Sequence, residues 1–110
     1  MKQGEIWNVF FDPVKGSEQA GNKPAIIVSG NTMNENSNLL IVCPLTSSLH
    51  YYKGHPIIEA SNENGLKHTS EVLVFQIRTL SKERFKKKLG TVSKSDVSSI
   101  HDTLNKILKY

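Results

Sequence analysis

The hydrophobic pattern of the chain changes its period once, near residue 93, and this change restricts the folds that are open to it. Before that point the apolar runs are short and are separated by turn residues, as at positions 24–29 and 39–45, which is typical of buried strands. After it, apolar residues recur every three or four positions: Val97, Ile100, Leu104, Ile107 and Leu108. The pattern predicts a mainly β protein of the α+β class, a small and strongly bent antiparallel sheet or barrel against which one C-terminal helix packs.

The sequence also predicts the order of the elements. We expect strands at residues 5–11, 24–29, 39–45, 55–59, 71–77 and 89–92, with a turn at 61–65 and a polar loop at 30–38. Asp12 and Pro13 would close the first strand as a turn. Ser93 and Asp96 resemble a capping box at the start of the helix.

Length and composition narrow the class of protein. A chain of 110 residues is long enough for one hydrophobic core, so we expect one domain over residues 1–110. The lone cysteine, Cys43, excludes an internal disulfide and lies in an apolar run, where we expect it to be buried. No apolar stretch has the length of a signal peptide or a membrane span, which predicts a cytoplasmic protein with no membrane partner.

Positive charge is concentrated in one short stretch. The formal net charge is +4, and five cations fall close together: Lys82, Arg84, Lys86, Lys87 and Lys88. Such a cluster is compatible with a patch that follows a phosphate backbone, as in proteins that bind nucleic acids. It is equally compatible with a solvated basic turn that keeps the protein soluble.

The common enzyme motifs and metal sites are missing from the sequence. His50 and His55 are five positions apart without a helical pattern, and His68 and His101 stand alone, so none of the zinc spacings is met. We expect each histidine to lie on the surface or in a loop. No nucleophile elbow, Walker loop or dinucleotide-binding glycine pattern occurs, so neither a metal nor a cofactor is predicted.

The remaining polar groups suit a reaction at a phosphodiester. RNA can be cut without a metal when its own 2′-hydroxyl attacks the adjacent phosphorus, and the protein then supplies a proton acceptor, a proton donor and groups that stabilise the charged phosphorane. Five residues have side chains of the types that this reaction needs: Ser17, Glu18, Lys23, Thr46 and Arg78. Each also has a structural explanation, since the first two can form a turn, Thr46 can end a strand and Arg78 can pair with a surface carboxylate.

Several stretches, taken in order, resemble one known family. They are residues 4–7, 11–13, 16–21, 23–25, 44–47 and 76–79. Together they are similar to the MazF/PemK toxins of bacterial toxin–antitoxin pairs, over about residues 4 to 108. The resemblance implies an SH3-like barrel with a C-terminal helix, a homodimer, and a ribosome-independent endoribonuclease that cuts single-stranded mRNA at short sequences. It also implies a cognate antitoxin whose C-terminal tail covers the RNA groove.

The resemblance assigns expected roles to individual residues. Thr46 matches the catalytic threonine, which would hold the scissile phosphate, and Glu18 matches a carboxylate implicated in some members. Lys23 stands where most members have arginine as the cation or proton donor; lysine keeps the charge but loses the planar fork that grips two phosphate oxygens. Contacts with RNA are expected from Ser17, Gln19, Gln76, Arg78 and Phe75.

Phe75 is a second departure from the family pattern. Many relatives carry an acidic residue there, which is proposed in some of them as the general base, and phenylalanine cannot accept a proton. Either Glu18 or the phosphate itself would take that role in this chain, or turnover would be slow. Phe75 could offer a face on which an RNA base stacks, although strand alternation is equally compatible with a position in the core.

Two hypotheses from different classes follow. The leading one is a metal-independent endoribonuclease that leaves 2′,3′-cyclic phosphate and 5′-hydroxyl ends and uses Lys23 and Thr46 as catalytic residues. The other is a non-catalytic protein on the same fold, either a gyrase inhibitor of the CcdB type or a decayed member that only binds RNA or its antitoxin. The C-terminal sequence, residues 106–110, shows no sign of the helix end on which gyrase inhibition depends in that relative.

Overall fold

The computed structural model describes residues 1–11 and 22–110 of the chain. Its strands are β1 (Glu5–Phe10), β2 (Asn22–Ile27), β3 (Leu39–Thr46), β4 (Ile57–Ile58), β5 (Ser70–Val72), β6 (Arg78–Ser81) and β7 (Phe85–Thr91). Its helices are α1 (Asn31–Asn36) and α2 (Lys94–Lys109). Within the described residues these strands form one antiparallel sheet in the order β4-β5-β3-β2-β1-β7, and β6 pairs with β3. The predicted fold class, a curled antiparallel sheet with a C-terminal helix, is confirmed.

The two faces of the sheet pack into different apolar clusters. Ile26 of β2 and Cys43 of β3 lie in the cluster that Ile100 of α2 completes, which we call the helix-side core. Their strand neighbours Ala25 and Val42 lie in the second cluster, which we call the far core. The alternation follows from the period of two along a strand. Alternate residues of β2 and of β3 therefore face the helix-side core and the far core in turn.

The C-terminal helix begins where the sequence predicts. The side chain of Ser93 accepts a hydrogen bond of 3.1 Å from the backbone N–H of Asp96, which is the predicted N-terminal cap. Val97 and Ile100 are buried, but Ile107 is 43% and Leu108 75% exposed. The helix thus packs against the sheet as predicted, except for its last turn, which extends past the core. No helix in the described ranges is long and apolar enough to cross a membrane.

Two predicted segments have a different local structure. The expected loop at 30–38 contains helix α1, which is fixed by Asn34: its side chain bonds to the hydroxyl of Ser29 at 2.5 Å and donates to the carbonyl of Ser29 at 2.9 Å. The expected short strand at 89–92 is the longer β7, which includes most of the basic cluster. The greater length of β7 does not follow from local propensity, since it depends on pairing with the distant strand β1.

Cys43 is fully buried in the helix-side core, as predicted. Burial raises the pKa of its thiol to about 12, because the interior disfavours the thiolate. The cysteine is therefore a packing residue.

Candidate active site

The two candidate catalytic residues, Lys23 and Thr46, lie on the neighbouring strands β2 and β3. Ala25 is paired with Pro44, Ile26 with Cys43 and Ile27 with Val42. The observed pairs end at Ala25 and Pro44; continued by two residues, the same register would set Lys23 opposite Thr46, and both belong to strands that extend that far. Opposite residues of an antiparallel pair point to the same face. Lys23 and Thr46 therefore share the far-core face, at the end of the sheet where that core stops.

The hydroxyl of Thr46 is oriented by the chain that follows β3. Its Oγ1 accepts a hydrogen bond of 3.1 Å from the backbone N–H of Ser48, and the residue is partly exposed. A hydroxyl that accepts in this way keeps its own proton for another acceptor. The hydroxyl hydrogen of Thr46 can thus be donated to an oxygen of a bound phosphate, while Lys23, which is exposed, supplies positive charge from the neighbouring strand.

Arg78 lies on the same face as these two residues. It pairs with Val42 across β3 and β6, and Val42 belongs to the far core. Its guanidinium carbon lies 5.4 Å from the centre of the Phe11 ring, in the geometry of a cation–π contact. The ring fixes the position of an exposed cation beside the end of β1. Sequence-distant cations from β2 and β6 therefore face the same side of the sheet as Thr46.

The predicted strand at 71–77 is interrupted, and the interruption exposes Phe75 and Gln76. Leu73 donates to the carbonyl of Pro44 at 2.9 Å, but proline has no N–H with which to return a bond, and the ladder ends. Residues 74–76 then form a 3₁₀ turn in which Val74 is buried. Phe75 is 51% exposed, so it is not the core residue that strand alternation allowed.

Glu71 is a candidate site residue that the sequence analysis missed. It pairs with Thr46 across β3 and β5, and it is fully buried. Its carboxylate accepts hydrogen bonds from the backbone N–H groups of His50 and Tyr51, both at 2.7 Å, and of Tyr52 at 3.2 Å. The available signal was a carboxylate inside a run predicted to be a buried strand, since such a group must have partners.

These hydrogen bonds determine the charge of Glu71. Burial by itself raises the pKa of a carboxyl group, but the donors around Glu71 outweigh it: the N–H groups of Tyr51 and His50, the ring of His55 and the N–H of Tyr52. The pKa of Glu71 lies below its ordinary value, and the group is a carboxylate at neutral pH. Since a carboxylate only accepts hydrogen bonds, Nδ1 of His55 is the donor in their 3.1 Å contact.

His55 lies in the irregular segment before β4, which agrees with the expected surface or loop position, but it is buried. Its side chain is 3% exposed and is bound to Glu71. The other three histidines are exposed, as expected. A buried partner, which the sequence spacing could not reveal, explains the difference.

Aromatic side chains surround His55 on its open side. Its ring is stacked on that of Phe75, with centroids 5.2 Å apart, and Tyr52 meets both rings edge-on at 5.5 Å and 5.3 Å. We call Tyr52, His55 and Phe75 the aromatic cluster. It borders a cleft of about 360 Å³ that Lys53 and Ile107 also line.

Three of the predicted site residues cannot be placed. Ser17, Glu18 and Gln19 lie in residues 12–21, outside the described part of the chain.

The basic cluster is mainly engaged in structural contacts. Lys82 donates to the backbone carbonyl of Asn34, Arg84 donates to that of Phe10 at 3.3 Å, and Lys88 forms an ion pair of 3.2 Å with Glu5. Since β7 is an edge strand, its exposed lysines also disfavour pairing with another sheet. Lys86 and Lys87 are exposed, and Lys86 donates to the backbone carbonyl of Glu83 at 3.2 Å. Both interpretations given from the sequence remain open for these two residues.

Comparison with known proteins decides the family. Residues 2–108 match the sequence profile described as the PemK-like, MazF-like toxin of type II toxin–antitoxin systems. The chain belongs to this family. The endoribonuclease MazF of Staphylococcus saprophyticus is 34% identical over 107 residues, which cover 96% of this chain and 88% of that protein. The endoribonuclease MazF9 of Mycobacterium tuberculosis is 28% identical over 109 residues, covering 94% and 92%.

Solved MazF structures have the same fold. MazF of Deinococcus radiodurans superposes with a TM-score of 0.81 at 23% identity and covers 100% of this chain and 97% of its own. A MazE–MazF structure from the same organism also gives 0.81, at 25% identity, and covers 98% and 95%. The family predicted from the ordered motifs is confirmed, and the relatives' names give the predicted class of enzyme, endoribonuclease.

Proposed function

We propose that this chain is a MazF-type toxin that cuts single-stranded mRNA at short specific sequences in the cytoplasm, without the ribosome and without a metal ion. A cognate antitoxin neutralises it. The family match over residues 2–108 and the relatives named endoribonucleases support the class of reaction. The observation that supports the assignment of residues is the register of β2 and β3, which, continued by two residues past its last pair, would set Lys23 opposite Thr46 on one face of the sheet.

In the proposed reaction the 2′-oxygen of a ribose attacks the adjacent phosphorus, and the bond from phosphorus to the 5′-oxygen breaks. The hydroxyl of Thr46 donates a hydrogen bond to a phosphate oxygen and holds the phosphorus in line. The ammonium of Lys23 stabilises the phosphorane, and the departing 5′-oxygen takes its proton from Lys23 or from water. Glu18 or a phosphate oxygen accepts the proton of the 2′-hydroxyl. The products are a 2′,3′-cyclic phosphate and a 5′-hydroxyl.

The RNA contacts in this proposal come from the surroundings of Thr46. Arg78 attracts the neighbouring phosphates, and Gln76 and Phe75, both exposed on the 3₁₀ turn, face the bases. Ser17 and Gln19 are assigned supporting contacts from the resemblance. Because unstacked bases are recognised through stacking and hydrogen bonding at their edges, this mixture of groups suits single-stranded RNA.

Two protein partners belong to the proposal. One is the antitoxin, which is supported by structures of relatives named as MazE–MazF complexes. The other is a second copy of this chain, which is supported by apolar side chains that one copy leaves exposed, among them Leu39 and Leu108. Sedimentation of the purified protein tests the second: we expect a dimer, and a monomer at all concentrations contradicts it.

The cleavage reaction can be tested directly. The purified protein is incubated with a long RNA in the presence of EDTA, and the ends of the fragments are mapped. We expect specific fragments with 2′,3′-cyclic phosphate and 5′-hydroxyl ends. Intact RNA, or cleavage that EDTA abolishes, contradicts the proposal. A gyrase supercoiling assay run in parallel distinguishes the non-catalytic alternative, for which we expect inhibition of gyrase and no fragments.

A further inference from the structure

The buried carboxylate of Glu71 holds a segment that has no regular structure of its own. Oε1 accepts from the N–H groups of His50 and Tyr51, and Oε2 accepts from that of Tyr52 and from the ring of His55. A fully buried charge is stable only when donors surround it, and these four donors all come from residues 50–55. The position of this segment is therefore coupled to Glu71.

The backbone of the segment would not adopt this conformation readily without the carboxylate. Tyr51 has φ +54°, in the left-handed region that side chains other than glycine disfavour. Tyr51 is 69% exposed, so its side chain does not hold it there through burial. Its N–H, bound to Glu71 at 2.7 Å, is the contact that fixes the turn. Such strain persists only where the surroundings impose it.

The same hydrogen bonds hold the aromatic cluster. Tyr52 is tied to Glu71 through its backbone and His55 through its ring, and the His55 ring supports that of Phe75 at 5.2 Å. Tyr52 is 49% exposed and Phe75 51%. The rings of Tyr52 and Phe75 are thus about half exposed to solvent. Their positions are fixed by the hydrogen bonds of Glu71 to Tyr52 and His55 and by the contact of His55 with Phe75.

We propose that Glu71 is a positioning residue: by fixing residues 50–52 and His55, it holds Tyr52 and Phe75 as a surface on which an unpaired base of the RNA substrate stacks. This inference rests on the proposed function, since the base belongs to a nucleotide next to the one bound at Thr46. Glu71 touches no substrate and acts through the aromatic cluster.

Two observations favour an RNA base over a second copy of the chain as the occupant. The cluster adjoins the proposed phosphate site, because Glu71 is the ladder partner of Thr46. The cleft beside it contains the cation Lys53, which suits a phosphate that follows the stacked base. Stacking of bases on aromatic side chains is the usual way in which single-stranded RNA is held.

The test compares three variants with the wild type. Glu71→Gln removes the charge and one acceptor oxygen, and Tyr52→Leu removes the ring but leaves the hydrogen bonds of Glu71 intact. Glu59→Gln makes the same chemical change at an exposed glutamate and is the matched control. The measurements are amide hydrogen exchange at residues 50–52, kcat and KM for RNA cleavage, and the Kd for a mixed-sequence single-stranded RNA with 2′-O-methyl riboses.

For Glu71→Gln we expect faster exchange at residues 50–52 and an increase of about tenfold in KM and Kd, with kcat within about threefold, because a lost base contact weakens binding. Tyr52→Leu should give the same change in KM and Kd with unchanged exchange. Glu59→Gln should change none of these. Since Tyr52→Leu leaves the buried network in place, it tests the stacking surface even if Glu71→Gln does not fold.

The outcomes separate this inference from the proposed function. If the wild type binds the methylated RNA but does not cut unmodified RNA, the proposed reaction is wrong, and the Kd values still decide the stacking surface. Unchanged Kd and KM in Tyr52→Leu overturn the inference. So does a change in oligomeric state with unchanged Kd, which would make the cluster an interface between copies of the chain.

Discussion

Two regions of this protein each contain a buried glutamate, and the two are satisfied in different ways. At the β1–β7 edge, Glu5 accepts from the indole of Trp7 at 2.9 Å and pairs with Lys88, whose side chain is 48% exposed. At the Thr46 end, Glu71 accepts from three backbone N–H groups and a buried histidine. Side chains can turn back to water when a partner is lost, but enclosed backbone groups cannot.

Glu5 thus stabilises the scaffold, whereas Glu71 stabilises the surroundings of the candidate site. Glu5 links neighbouring strands that are already paired by their ladder. Glu71 fixes an irregular segment that no ladder holds, next to the proposed catalytic threonine. We therefore expect changes at the β1–β7 edge to affect stability slightly, and changes at the Thr46 end to affect stability, activity or both.

The largest difference between the regions should appear in the activity of threonine variants. Thr46→Ala removes the hydroxyl that binds the phosphate, and we expect a loss of about 100-fold or more in kcat/KM with little change in stability. Thr91→Ala, an exposed threonine of β7, is the control and should retain full activity. Rates of RNA cleavage and urea unfolding provide the two readouts, and full activity of Thr46→Ala would contradict its assignment.

The next largest effect is expected in the free energy of unfolding, which should fall by different amounts when Glu71 and Glu5 are replaced. Glu71→Gln leaves buried donors without an acceptor and should lower the free energy of unfolding by about 2 kcal/mol. Glu5→Gln should lower it by about 1 kcal/mol or less, because Lys88 returns to solvent. Urea denaturation at neutral pH measures both values. Equal losses in the two variants would remove the distinction drawn between the regions.

Acidification should reduce this difference. The pKa of Glu71 is lowered in the folded state, so its stabilising effect is complete above the ordinary value of 4.5 and is lost as the pH falls through the folded-state pKa. For Glu5, burial raises the pKa, but the Trp7 indole, the Lys2 backbone and Lys88 outweigh it, and the sign is the same. We expect wild type and Glu71→Gln to converge in stability as the pH falls below the folded-state pKa of Glu71. Unfolding curves recorded from neutral to acid pH measure this, and a constant gap would show that ionisation of Glu71 is not the cause.

Lys23→Arg should produce a smaller change, and in the opposite direction. The variant restores the residue that most members of the family carry, whose planar fork can hold two phosphate oxygens. We expect kcat/KM to rise about threefold to tenfold, with Lys87→Arg on the edge strand as a neutral control. A fall in activity would indicate that this chain uses the ammonium as a proton donor in a way that a guanidinium cannot replace.

The smallest effect is expected at the edge. Lys88→Met breaks the ion pair with Glu5, and because the lysine is half exposed, the loss of stability should stay below about 1 kcal/mol. Lys87→Met is the matched control, because Lys87 forms no ion pair with residues 1–11 or 22–110. A loss of stability as large as that of Glu71→Gln would show that the ion pair holds the β1–β7 edge together, which contradicts the different roles assigned to Glu5 and Glu71.

Much of the fold could be predicted from the sequence because its signals are local. The apolar runs predict β2 and β3, and the spacing from Val97 to Leu104 together with Ser93 predicts the start and the face of α2. The 3₁₀ turn at 74–76 could not be predicted, because it results from Pro44 on a neighbouring strand. The burial of His55 had no local signal either, since its partner is 16 residues away.

The sequence by itself determined the family, the fold class and the residue types available for phosphate chemistry, because ordered motifs and hydrophobic periodicity are properties of neighbouring residues. Tertiary structure decided which of those residues share a face. The register of β2 with β3 determines that Lys23 and Thr46 face the same side of the sheet. The pairing of β3 with β5 sets Glu71 opposite Thr46, where its carboxylate accepts hydrogen bonds from residues 50–52. Register depends on contacts between distant segments, and a shift of one residue would turn each of these side chains to the other face.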